Sequence, residues 1–148
     1  MALNLANLQA DIEALAENPG DTIAACAQQW AEAVGSYASG VVPASTTVAT
    51  AQTALQAALT AAFATPAAAA AMELAFTAFA TTVALGMVGA GFTGVPPPGP
   101  VGFAAQFAGA KPTTHAQAGQ QLGTLIDAWM RTGTAVLIAP PNTPVTWT

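Results

Sequence analysis

Four features of the sequence have residue types that can do chemistry. Glu73 is the one charge in a long neutral stretch, with Met72, Phe76 and Phe79 around it at helical spacing. A carboxylate among apolar side chains can have a raised pKa and serve as a general acid. That work needs a second carboxylate or a histidine, and neither lies near Glu73 in the chain. A glutamate facing solvent or a neighbouring subunit is the plainer reading. His115 falls in the first turn of a helix, where a polar residue is ordinary, and it has no partner set for a metal. Cys26 lies on an apolar helical stripe and reads as a small core residue. Gly86-x-x-Gly89-x-Gly91 has the look of a phosphate loop, but it follows a helix rather than a strand and has no lysine beside it. One cysteine and one histidine exclude a disulfide scaffold and a Cys/His zinc site. No catalytic, cofactor-binding or metal-ligating residue is assigned, and no enzymatic activity is expected.

The elements that would position such residues belong to an unusually neutral chain. Of 148 residues, two are basic and seven acidic, 6% in all, against roughly 25% in an ordinary soluble domain. Two cations cannot neutralise a run of phosphates, so nucleic acid is not an expected partner. A hydrophobic fraction of 53% also argues against disorder. Asp11, Glu13, Glu17, Asp21 and Glu32 crowd the N-terminal quarter, and no charge lies between Glu32 and Glu73 or between Glu73 and Lys111. The surface over that stretch must be Ala, Thr, Gly, Gln and Ser, which are cheap to desolvate and to order. Codon bias alone would give an alanine-rich monomer. Charge depletion at interface cores favours a surface covered by other subunits.

Hydrophobic periodicity predicts a mainly α fold: a single helical domain over 1–148, an Ala-rich bundle of about five helices. The helices are expected over about 4–17; from a cap at Asp21, weakened by Gly35 and ended by Gly40; over Ala49–Ala64; from Pro66 to about Val88, with Thr65 as cap and Pro66 in the first turn; and from a Thr114-x-x-Gln117 capping box to about Arg131. The last has the apolar stripe Ala118, Leu122, Leu125, Ile126 and Trp129. Residues 92–112 are expected to be a Pro-rich loop, largely polyproline II around Pro96-Pro97-Pro98, pinned by one turn at Phe103 and Phe107. Two short extended arms complete the chain: Val41–Val48, interrupted by Pro43, and a C-terminal arm at 134–148 whose best strand is Thr134–Ile138. Gln28-Gln29-Trp30 and Gln120-Gln121-Leu122 open similar runs of helix, aromatic, glycine and extended arm, so a pseudo-repeat would pair the two arms as a β-ribbon. Otherwise the C-terminal strand needs a neighbouring subunit's sheet edge. Val136, Leu137, Ile138, Trp147, Val41 and Val42 are therefore the candidate subunit contacts. Pro140, Pro141 and Pro144 exclude the tail from the centre of a sheet.

The run Leu125-Ile126-Asp127-Ala128-Trp129 through Val136, its Thr/Pro-rich tail, and the loop Phe92 to Pro100 resemble small structural proteins of tailed-bacteriophage virions. The resemblance covers about the last 60 residues and carries no catalytic residue. It implies a virion component of the tail, baseplate, neck or capsid surface, assembled in the host cytoplasm, whose partners are copies of itself and other structural proteins. Two other readings stay open. Leu74–Phe92 is uncharged and long enough to insert in a membrane, although its threonines and glycines make a membrane an unlikely partner. The chain also has the composition of a secreted Ala-rich helical partner of an export system.

Overall fold

In a computed structural model, residues 2–148 are described. Among them are six α-helices, α1 (Leu5–Glu17), α2 (Ile23–Ala38), α3 (Val48–Phe63), α4 (Ala68–Gly86), α5 (Phe103–Ala108) and α6 (His115–Met130). Three strands, β1 (Phe92–Val95), β2 (Thr134–Leu137) and β3 (Pro144–Thr146), form a small antiparallel sheet in the order β1-β2-β3. The fold is mainly helical, as periodicity predicts. One core joins all layers: Leu8 and Ile12 of α1, Trp30 and Val34 of α2, Leu55 and Leu59 of α3, Phe76, Phe79 and Val83 of α4, Ile126 and Met130 of α6, and Trp147 of the tail.

Helix starts follow side-chain chemistry where the right residue is present. Asn4 accepts from the backbone N–H of Asn7, and Thr114 from that of Gln117. The second helix is capped by Thr22, which accepts from the N–H of Ala25, and not by Asp21. The Thr65 hydroxyl donates back to the Ala62 carbonyl at the end of α3, so it closes one helix instead of opening the next. Pro66 lies in the turn, and α4 begins at Ala68 with no side-chain cap. In the Thr114 box the Gln117 side chain accepts from the N–H and hydroxyl of Thr113, one residue earlier than the usual reciprocal bond.

Two expectations need correction. Residues 92–112 are not simply a loop, because β1 and α5 lie within them. The strand over 134–137 pairs neither with Val41–Val48 nor with an empty edge. It is the central strand, with Phe92↔Leu137 to Val95↔Thr134 on one side and Thr134↔Thr146 to Val136↔Pro144 on the other. The two expected arms are joined by backbone hydrogen bonds at Val42 and Thr148, which exchange N–H···O bonds of 2.9 and 3.2 Å. Pro43 removes the next donor along that edge. The other residues of the first arm do a different job: the hydroxyls of Ser45, Thr46 and Thr47 donate to the carbonyls of Val83, Gly86 and Thr82 in the last turns of α4. Gly86 permits this approach, since a Cβ there would sit 2.3 Å from both the Ser45 and Thr47 hydroxyl oxygens.

Candidate functional site

Polar chemistry in the interior is concentrated at one point between α2, α6 and the N-terminal segment. Asp127 is the one buried charged residue among those described. Its carboxylate accepts a 2.6 Å bond from the Tyr37 hydroxyl and bonds of 3.0 and 2.9 Å from Arg131 Nε to its two oxygens. Arg131 Nη2 then donates to the Leu3 carbonyl at 2.9 Å. Burial, with the Asp127 hydrogen bond and charge added to it, pushes the Tyr37 phenol far above its ordinary value. The hydrogen bond to Asp127 likewise holds Arg131 above its own. Every member of this cluster is satisfied within the chain, and no buried side-chain N or O among the described residues lacks a partner. The cluster ties three segments together.

The residues singled out for possible chemistry are placed as follows. Glu73 is half-buried, and its carboxylate is turned to the chain's own backbone. Its carboxylate accepts from three consecutive backbone N–H groups, those of Val101, Gly102 and Phe103, at 2.6, 2.8 and 2.5 Å. These include orphan donors at the start of α5, so Glu73 is a helix cap delivered from a distant helix. Gly102, at φ 106°, shapes the chain around the carboxylate. Trp129 Nε1 donates to the Gly99 carbonyl at 3.1 Å, and the Phe76, Phe103 and Trp129 rings meet edge to face. The Pro-rich segment is thereby fastened to α4 and α6. His115 is exposed. Cys26 is half-buried and donates to the Gly20 carbonyl at 3.2 Å. Gly86 to Gly91 ends α4 through a 3-10 turn, with Gly91 at φ 83°. Among the described residues no cluster of three or more His, Cys, Asp or Glu could hold a metal ion.

Of the candidate contact residues of the C-terminal arm, Val136 and Leu137 lie in the chain's own sheet and Ile138 and Trp147 just outside it. Val136 and Leu137 belong to β2, while Ile138 stands just beyond it, exposed, with its N–H bonded to the Gly91 carbonyl. Trp147 is fully buried: its Nε1 donates to the Thr134 carbonyl at 3.0 Å. Its ring lies so close over Gly133 that a Cβ there would come within 2.5 Å of it. Val41 is buried and Val42 exposed. Thus Val42 and Ile138 alone of the six are exposed.

The surface that lacks internal partners lies elsewhere, on α3 and α4. α3 exposes Thr50, Thr53, Ala54, Ala57, Ala58 and Ala61. α4 exposes Leu74, Thr77, Ala78, Thr81, Leu85 and Val88 along its length and into the following turn. Leu74 is 74% exposed and Leu85 68%. Isolated exposed leucines are ordinary on a protein surface; a row of apolar and small residues without any charge is not. This face falls within the stretch between Glu32 and Lys111, whose one charge is Glu73. The stretch Ala68–Ala90, with a mean hydropathy of 1.6, is long and apolar enough to cross a membrane by length and composition; half of its most apolar window is buried inside the fold. No known protein family, curated protein or solved structure matches this chain.

Proposed function

We propose that the protein is a structural subunit of a multi-protein assembly, docking through the charge-free face of α3 and α4. The observation that carries this reading is the exposure of Leu74, Leu85 and Val88 on a face without a charged side chain. Such a face is poorly suited to water and well suited to burial against protein. The satisfied polar interior supports a scaffolding role over catalysis. The resemblance of the C-terminal run to tailed-bacteriophage structural proteins makes a virion component the specific form of the proposal. An antibody to the chain, used on density-gradient fractions of purified particles, tests it. The chain is expected to band with intact particles; a chain found wholly outside the particle fractions refutes the virion assignment.

Membrane insertion through Ala68–Ala90 is a second reading, favoured by the length and hydropathy of that stretch. It requires Phe76, Phe79 and Val83 to leave a core in which they are fully or almost fully buried. Flotation with lipid vesicles separates the two: the assembly reading expects the folded chain to stay in the aqueous fraction, and insertion expects it to float and resist carbonate extraction.

A further inference from the structure

We propose that residues 99–112 are a strap that opens as one unit while the rest of the fold stays closed, with the Glu73 carboxylate as its latch. Such a device is independent of the assembly reading above. The segment joins the Pro-rich run to α6 and packs on α4, yet little of it is buried. Between residues 99 and 112 only Val101 and Phe103 are buried, while Ala104, Ala105 and Phe107 to Pro112 are exposed. A segment with few buried apolar side chains and an exposed backbone belongs to the part of a fold that opens most readily.

The polar attachments of the strap are few and discrete. Glu73 holds the N–H groups of Val101, Gly102 and Phe103. At one end the Trp129 indole N–H donates to the Gly99 carbonyl, and further along the Gln106 amide donates to the Gln121 side-chain oxygen at 3.0 Å. The Phe103 ring meets Phe76 edge-on, with centroids 4.9 Å apart. Hydrogen bonds to a carboxylate are stronger than bonds to a neutral acceptor. Three of them converge on one side chain here, so residues 101–103 leave together or stay together.

The strap also has joints at its ends and a body between them. Gly99 stands at φ 74°, in open space, and Gly109 ends α5 in extended backbone. Between the joints, Phe103 and Phe107 stack at 5.9 Å, and the N–H groups of Gln106 and Gly109 bond to the Gly102 and Ala105 carbonyls, so α5 can move as a piece. The flanking elements are held without it. β1 ends at Val95 and pairs with β2, and α6 is fastened to Tyr37 and Leu3 through Asp127 and Arg131. Opening therefore withdraws Phe103 and uncovers the rings of Phe76 and Trp129, which are buried in the closed fold.

Native-state hydrogen exchange of the full chain in low urea tests this. The amides of Val101, Gly102, Phe103, Gln106 and Gly109 and the Trp129 indole N–H should share one opening with one urea dependence. They should exchange roughly 100-fold or more faster than the amides of the buried residues Leu59, Phe79 and Met130. Glu73→Gln should speed the whole strap set by one common factor, about five-fold, and leave the core amides unchanged. Gly102→Ala puts a side chain at φ 106° in the closed strap and should act in the same direction. Strap and core amides of the parent chain sharing one opening and one urea dependence would overturn the proposal, because the segment would then open only with the whole fold. Faster exchange in Glu73→Gln confined to residues 101–103, with Gln106, Gly109 and the indole unmoved, would show fraying at the start of α5 and overturn the strap. No change at any of these positions in Glu73→Gln would overturn the latch.

Discussion

The helices α1 and α6 and the helices α3 and α4 are both antiparallel packings of Ala-rich segments, yet they are joined by different means. α6 meets α1 through Gly119 and Gly123, one turn apart. A Cβ at either would lie 2.5 Å from the Gln9 carbonyl oxygen or 2.7 Å from the Gln9 Cγ, so the two helices touch nearly backbone to backbone. At its far end α6 is anchored by Asp127 and Arg131 to Tyr37 and Leu3. α3 and α4 have no ion pair between them. They meet through Leu55, Leu59, Phe76, Phe79 and Val83, and their threonine hydroxyls bond within their own helices. Around α1 and α2 the acids Asp11, Glu17, Asp21 and Glu32 face water, while α4 turns Leu74 and Leu85 outward. The first region is finished toward solvent; the second is finished only on its inner side. A chain with nine charges has too few to place one on every face, and here they are concentrated on the first region and withheld from the second.

The largest effect is expected from breaking the polar anchor. Asp127→Ala leaves the Tyr37 hydroxyl without its acceptor and Arg131 without its counter-ion. Because the Arg131 side chain is 38% exposed, water recovers part of the loss, and the cost is about 2–3 kcal/mol. A lower urea midpoint with unchanged slope would register it; a midpoint within error of the parent would show that the cluster does not hold the first region together. Next comes the close approach of α1 and α6. Gly119→Ala gains helix propensity but must push α1 aside, for a net loss of about 1–2 kcal/mol. The same exchange of small for larger in the other region, Ala57→Leu on the exposed side of α3, should change stability by less than about 0.5 kcal/mol. Equal effects at the two sites would erase the distinction between the regions.

A third test uses pH. Tyr37 is the only tyrosine, and its phenol is held above its ordinary value in the folded chain. The folded state therefore keeps a proton that the unfolded chain releases near pH 10. Stability from this source is complete below about pH 10 and is lost as pH rises above it. Absorbance of tyrosinate should stay low until the chain unfolds and then rise together with the loss of helical signal. Free titration of Tyr37 near 10 in a folded chain would contradict the buried bond to Asp127. A more local effect concerns Glu73. Glu73→Gln keeps one acceptor but loses the charge shared by three N–H groups, at a cost of about 1 kcal/mol. The change should be local: faster amide exchange at residues 101–103, with little change in the α1–α6 contact. Uniformly faster exchange throughout the fold would show that the clasp supports the global core as well.

Periodicity and composition alone determine the helical class, most helix spans and the neutrality of the middle of the chain, because a period of 3.6 and a lack of charge are properties of neighbouring residues. A start signal that depends on one hydroxyl was also legible at Thr114. Tertiary structure decided what long-range contacts decide. Phe92-Thr93-Gly94-Val95 is too short and too glycine-rich to announce a strand, and it becomes one because β2 supplies a ladder and Gly94 lets it lie against the Ala84 carbonyl. The stripe of α6 is rotated toward Gly119 and Gly123, since a glycine counts for nothing on a hydrophobicity scale and becomes a contact only when another backbone lies against it. Glu73 carries no local sign of its role, because its partners are N–H groups of residues 101–103, brought to it by the fold. Likewise the stretch of α4 reads as apolar in the sequence, but only packing decides that Phe76 turns inward and Leu85 outward, and so which of its apolar residues stay exposed.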